Sequence, residues 1–169
     1  MHLVIIGNGI TGVSCALAVR RLRPEARITL VSAESTHHYS RTALMYVYMG
    51  HMRAQDIKPY EDWFWEENRL GLVHASASAL NTAGRLLTLD NGTTLAYDHL
   101  LLATGSESKR YGWPGQDLAG VQGLYNLPDL EAMARDTHGI KGFHTLEQAV
   151  QFQGIALDGG VIDVAVRIL

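Results

Sequence analysis

The strongest constraint on the fold is Gly7-Asn8-Gly9-Ile10-Thr11-Gly12, a GxGxxG string that directly follows the apolar run His2 to Ile6. A strand ending in such a loop and feeding straight into a helix aims backbone N–H groups, and the positive end of the helix dipole, at a diphosphate. Gly7 is expected to allow the tight turn, Gly9 the close approach of a phosphate, and Gly12 the close packing of helix on strand. Glycine-rich strings arise often by chance, so the weight rests on the setting between strand and helix patterns.

That setting is well marked. Val13, Ala16 and Leu17, with Cys15, Val19 and Leu22, fall at helical spacings and make a broad apolar stripe. Arg20, Arg21 and Arg23 crowd the far end, where cations suit the dipole, and Pro24 closes the helix. Ile28 to Val31 reads as a second buried parallel strand. Glu34 stands 22 residues after Gly12, close to the spacing at which a carboxylate meets the ribose hydroxyls of a dinucleotide. Its alternative reading is a solvated loop acid. A carboxylate at that place repels a 2′-phosphate, so the site is expected to hold an unphosphorylated adenosine, as in FAD or NAD.

Composition narrows the class. A chain of 169 residues with 47% hydrophobic content fits one domain with room for a small appendage. Fourteen basic against seventeen acidic residues, a net charge of −3, argue against a dedicated nucleic-acid surface. A strand pattern beginning at His2 leaves no signal peptide, and no apolar run is long enough to span a bilayer. Cys15, the single cysteine, precludes an internal disulfide and reads as a small buried thiol on the apolar side of the first helix. A cytoplasmic protein is the resulting expectation.

Farther along, Pro59-Tyr60-Glu61-Asp62-Trp63-Phe64-Trp65 reads as an aromatic-rich helix start that packs over a core; no basic residues interleave with these rings as a nucleic-acid platform would need. Leu72 to Leu80, with Val73, Ala75, Ala77 and Ala79 in alternation, predicts one strand with a buried face. Leu86 to Leu89, Asp90-Asn91-Gly92 and Thr93 to Ala96 predict a hairpin. Leu100 to Ala103 then forms a return strand broken at Thr104-Gly105. The order predicts an α/β nucleotide-binding domain, a Rossmann-like parallel sheet with helices and an antiparallel β-meander as its crossover. His37 and His38, adjacent in a polar loop, read as solvent-facing, and the remaining histidines show no metal-ligand spacing.

The glycine loop, Glu34 and the stretch Tyr97-Asp98-His99-Leu100-Leu101-Leu102-Ala103-Thr104-Gly105 together resemble the FAD domain of the pyridine nucleotide-disulfide oxidoreductase superfamily. Within it, the chain is most similar to the branch without a redox disulfide: NADH-dependent ferredoxin, rubredoxin and nitrite reductases and the flavoproteins related to apoptosis-inducing factor. Tyr39-Ser40-Arg41-Thr42-Ala43-Leu44 resembles the segment that passes the flavin and its diphosphate in this branch. The resemblance implies that Gly7, Gly9, Ile10, Thr11 and Gly12 cradle the FAD diphosphate and that Glu34 binds the adenosine ribose. It further implies that Arg41 lies near diphosphate and flavin, that the Ala77 backbone meets the adenine edge, and that Thr104 and Gly105 match the Ala-Thr-Gly fold-back over the nucleotide. Plain alternatives stand beside these roles: a surface ion pair for Arg41, a core alanine for Ala77 and an ordinary turn for Thr104-Gly105.

Departures from the family pattern carry equal information. Ser40, Thr42 and Ala43 occupy the region of the disulfide reductases' cysteine pair, which excludes dithiol chemistry, and Tyr46 stands near the place of a lysine found in several relatives. No catalytic or metal-binding residue is assigned. The implied chemistry belongs to the flavin, which takes a hydride from NAD(P)H and passes electrons to a redox protein or a quinone. The resemblance covers residues 1 to about 142, under half of a typical member, so the fold reads as incomplete relative to the family. The expected division is an FAD-binding domain over 1–110, a linker over 111–142 toward an absent NAD(P)H domain, and an unassigned tail over 143–169. Phe143 to Phe152 reads as a short helix and Gly154 to Leu169 as an Ile/Val hairpin whose apolar face docks on the domain or drives self-association. Truncation, a frame-shifted tail and a genuine short variant all account for that ending. Two function classes follow: an FAD-binding oxidoreductase domain that uses NAD(P)H only if the missing domain is supplied, or a non-catalytic dinucleotide-binding remnant or sensor.

Overall fold

A computed structural model describes residues 1–108, 111–112, 114–118 and 121–136. The expected tail elements over 143–169, and the self-association assigned to them, lie outside the described residues. The chain divides into two compact units, one made of Met1–Tyr39 with Lys58–Ser106, the other of Ser40–Ile57 with the residues from Glu107 onward.

The first unit begins with β1 (His2–Ile6), the glycine loop and α1 (Ile10–Leu22), followed by β2 (Arg27–Ser32). After a loop and α3 (Asp62–Glu67; α2, Leu44–Tyr48, belongs to the other unit) come β3 (Leu70–His74), β4 (Ala77–Asn81), β5 (Leu86–Leu89), β6 (Thr94–Ala96) and β7 (His99–Leu102). Among the described residues the parallel sheet runs in the order β3-β2-β1-β7, and β4-β5-β6 form a separate antiparallel sheet. This is the Rossmann-like α/β arrangement with a meander crossover that the sequence predicts.

The near-continuous apolar strands fit a sheet covered on both faces. One face carries Leu3, Ile5, Ile28 and Leu30 against Val13 and Ala16 of α1 and Trp65 of α3; the other packs Val4 and Val31 with Leu87 and Leu89 of the meander. Alternate residues of each strand thus reach different layers, as a side-chain period of two requires. Cys15 is half-buried and packs against the α1 face of the core. Tyr60, Phe64 and Trp65 form a small aromatic cluster, with Tyr60 and Phe64 stacked at 4.1 Å, in keeping with a packing role. The basic end of α1 does more than suit the dipole. Arg20 donates to the carbonyl oxygens of Pro24, Ala26, Asn68 and Arg69, tying the turn into β2 to the turn into β3.

One expectation is corrected. Leu72 to Leu80 is not a single strand but the end of β3 and most of β4, which belong to different sheets. Between them the Ala75 N–H donates to Ser32 O and Ser76 O accepts from the Asp90 N–H, so the chain is handed from one sheet to the other. Ala77 and Ala79, expected to share a buried face with Ala75, are exposed. Small alanines alternate as readily over a sheet change as within one strand, because they impose no packing partner of their own.

The second unit holds a 3-10 turn (Arg41–Ala43) running into α2 (Leu44–Tyr48), a second 3-10 turn (Ala54–Ile57), and α4 (Leu127–Asp136). Leu44, Ile57 and Leu130 are its buried apolar residues among those described. α4 opens with a reciprocal cap, in which Asn126 Oδ1 accepts from the Asp129 N–H and Asp129 Oδ2 accepts from the N–H groups of Tyr125 and Asn126. Residues 40–57, which fall within the FAD-binding domain of 1–110 expected from sequence, therefore cluster with part of the stretch read as a linker.

Candidate dinucleotide site

The glycine loop sits where β1 meets α1, between the ends of its two neighbouring strands. Gly7 N–H donates to Val31 O at 2.7 Å, and the Ala103 N–H donates to Ile6 O at 2.8 Å. Its φ of +113° lies in the region that favours glycine. A Cβ on Gly7 would stand 2.1 Å from the Ala103 carbonyl oxygen, and one on Gly12 would stand 2.1 Å from the carbonyl oxygen of Gly7. Gly9 differs, because a Cβ there would meet nothing within 4 Å. Two glycines therefore close the loop against strand and helix, and the one between them faces open space. That is the division of labour a phosphate cradle needs, and the residues present fit a dinucleotide diphosphate.

The helix start completes the cradle. Gly9 is the N-cap in extended conformation, with no side-chain cap and no acidic residue in the first turn. The helical ladder begins when Val13 N–H donates to Gly9 O at 3.0 Å, so the N–H groups of Ile10, Thr11 and Gly12 precede it. Ile10 and Thr11 are exposed while Gly12 is buried. An anion at this end gains both the leading N–H groups and the helix dipole.

Glu34 is half-buried in the loop after β2, and the Tyr39 hydroxyl donates to its Oε1. That loop is tied to the glycine loop. Asn8 Nδ2 donates to Ser35 O at 2.9 Å, and Ser35 Oγ donates to His37 O at 2.7 Å. A third tie comes from β3, where His74 Nε2 bonds Ala33 O at 3.0 Å. The sequence reading missed Asn8 and Tyr39; the x of a GxG string carries no signal in the motif rule, and Tyr39 was read only for its place in the next segment.

The paired histidines need correction. His38 is 7% exposed, its ring 6.1 Å from that of Tyr60, and His37 is half-buried, so neither is the solvent-facing residue expected. A polar loop packed down by buried hydrogen bonds and an aromatic neighbour shelters side chains that composition alone leaves in water. Burial, with a smaller contribution from nearby Lys58, pulls the His37 imidazole below its ordinary pKa.

Ala77 opens β4 two residues beyond Ala75, whose N–H meets the end of β2. Thr104 and Gly105 are exposed just past β7, and Gly105 has a φ of +76° that marks the fold-back as a glycine position. The glycine loop, Glu34, Ala77 and Thr104-Gly105 thus all follow the C-terminal ends of parallel strands or of β3's continuation. The strand order reverses about β1, so the glycine loop at the end of β1 stands where open α/β sheets bind ligands. Arg41 belongs to the second unit, where its guanidinium lies 4.9 Å over the Tyr125 ring and Nη1 donates to Tyr125 O at 3.1 Å. Among the described residues no three His, Cys, Asp or Glu side chains are placed to hold a metal ion, and no helix is long and apolar enough to cross a membrane.

Comparison with known proteins places this geometry. The family model described as pyridine nucleotide-disulphide oxidoreductase matches residues 1–160. The ferredoxin reductase component of chlorobenzene dioxygenase from Cupriavidus sp. (strain PS12) is 33% identical over 135 residues, 79% of this chain and 33% of that protein. A probable ferredoxin reductase, CtmF, from Castellaniella defragrans is 30% identical over 177 residues, 99% of this chain and 43% of that protein. Among solved structures, the ferredoxin reductase for the CYP199A2 system from Rhodopseudomonas palustris superposes with a TM-score of 0.72 at 26% identity, over 80% of this chain and 34% of that one. The chain spans about a third to two fifths of the length of these relatives. The match to residue 160 also runs past the limit of about 142 expected from sequence, into the unassigned tail. A stretch without a distinctive motif leaves too little pattern in one sequence for that continuity to be seen.

Proposed function

Because this chain belongs to the pyridine nucleotide-disulphide oxidoreductase family, we propose that it is the FAD-holding part of an NAD(P)H-dependent oxidoreductase. The observation that carries the proposal is the glycine trio: Gly7 and Gly12 have no room for a Cβ, and Gly9 opens onto free space at an uncapped helix start. In this reading the N–H groups of Ile10 and Thr11 meet the FAD diphosphate, and Gly7 and Gly12 hold the loop in register with β1, β2 and β7. Glu34, turned by Tyr39, accepts hydrogen bonds from the adenosine ribose hydroxyls. The Ala77 backbone serves the adenine edge, and Thr104 and Gly105 let the chain fold back over the nucleotide. Residues 1–110 form the FAD-binding part and 111–142 the connection toward a nicotinamide-binding part.

Bound FAD supplies hydride acceptance from NAD(P)H and delivery of electrons to an acceptor, and the protein's share is to bind and orient it. The relatives named as ferredoxin reductases favour a small iron–sulfur protein as that acceptor, with rubredoxin or a quinone as the other candidates. A cytoplasmic location goes with this reading.

The alternative reading is a dinucleotide-binding module without turnover. Visible absorbance of the purified chain, before and after addition of FAD and then NADH, separates the two. Stoichiometric flavin that bleaches with NADH establishes the oxidoreductase; bound flavin without bleaching favours the module. A colourless chain that ignores FAD removes the flavin assignment.

A further inference from the structure

We infer that Asn8, the variable residue inside the first GxG, is a positioning residue for the ribose carboxylate Glu34, so that the phosphate loop and the ribose loop act as one part. The inference rests on the reading of Glu34 as the ribose ligand. Asn8 is 9% exposed, and Ser35, its partner, is 6% exposed. Its Nδ2 reaches Ser35 O at 2.9 Å and lies 3.4 Å from Ser35 Oγ, so the carboxamide is spent on the residue directly after Glu34. Ser35 passes the constraint forward through the bond from its Oγ to His37 O, at 2.7 Å.

Nothing regular holds this stretch. Residues 33–39 carry neither strand nor helix, and a loop without a backbone ladder keeps its shape through side-chain bonds of this kind. Tyr39 orients the Glu34 carboxylate by donating to Oε1, but that bond sets the direction of a side chain whose backbone must already be in place. Asn8 provides the place. Its position one residue from both Gly7 and Gly9 means that the loop meeting the diphosphate and the loop meeting the ribose cannot drift apart while this buried bond stands. Removing the amide leaves a buried carbonyl without this donor and frees the Glu34 backbone.

The test compares ADP with 2′-deoxy-ADP on the full chain by titration calorimetry. Both nucleotides carry the same diphosphate, so their affinity ratio isolates the ribose from any direct effect on the phosphate loop. The wild-type chain is expected to prefer ADP by roughly tenfold, the scale of one hydrogen bond to a charged acceptor. Glu34→Ala should bring the ratio to about one, and Asn8→Ala should do the same with the carboxylate still present. The isosteric Asn8→Asp, which cannot donate to Ser35 O, serves as the second variant if the alanine form does not fold. A folded Asn8 variant that keeps the wild-type ratio while Glu34→Ala loses it overturns the inference and leaves the Glu34 reading intact. A ratio unchanged by Glu34→Ala, or a wild-type chain that binds neither nucleotide, overturns the Glu34 reading itself.

Discussion

A Cβ on Gly12 would lie 2.1 Å from the carbonyl oxygen of Gly7, closer than real Cβ contacts come. Helix α1 therefore leans on the turn that precedes it through a glycine. Gly12→Ala is expected to destabilise the chain by about 3 kcal/mol or more, since the obstacle is backbone and cannot rotate away. Gly9→Ala should cost about 1 kcal/mol or less, because its conformation is extended and its surroundings are open, yet it should weaken FAD or ADP binding at least about tenfold by filling the cradle. Urea unfolding and ligand titration of the two variants check both halves. Equal losses of stability would remove the distinction between the closing and the open glycine.

Tyr39 is 5% exposed, and its hydroxyl is committed to Glu34. Tyr39→Phe keeps the ring and removes the donor. It should cost about 1 to 2 kcal/mol of stability and lower ADP affinity several-fold, with a smaller effect on inorganic pyrophosphate. Calorimetric titration with both ligands measures the difference.

Acid should destabilise the first unit well above the range in which carboxylates titrate. Burial lowers the pKa of His37, helped by Lys58, and burial likewise lowers that of His2, whose Nδ1 bonds Ala96 O and whose Nε2 meets Thr29 Oγ1. A folded-state pKa below the unfolded value means that the folded chain resists protonation. The contribution of each histidine is complete above about pH 6.5 and is lost as pH falls through its lowered folded value. The urea midpoint should fall between about pH 7 and about pH 5, and the change should be smaller in His37→Asn. A midpoint that holds steady or rises on acidification would contradict the assignment.

Arg41 lies over Tyr125 within the second unit, at 4.9 Å from the ring centroid. Tyr125→Phe keeps the aromatic face and the backbone carbonyl and should lose less stability than Tyr125→Ala, which should lose about 1 kcal/mol or more. Thermal unfolding of the two variants against Arg41→Ala tests whether the ring and the cation act together, as non-additive losses would show.

Much of this was legible in the chain. The boundaries of β1, the start of α1 directly after the glycine loop, the β5–β6 hairpin and the return strand β7 follow from apolar runs, glycines and turn residues whose effects are local. Legibility failed where a long-range partner decides the outcome. Leu72 to Leu80 alternates like one strand, but Ser32 and Asp90 draw its two halves into different sheets. His38 sits in a polar stretch, yet the loop folds it against Tyr60.

The nucleotide-binding fold and the position of the glycine loop are readable from the chain alone, because the strand, glycine turn and helix are consecutive and each obeys a local rule of sterics or periodicity. The different surroundings of the three glycines, the bond from Asn8 to the loop of Glu34 and the bond from Tyr39 to that carboxylate emerge only once the chain is folded. Those are contacts between residues brought together by sheet order and burial, and no spacing along the chain encodes them.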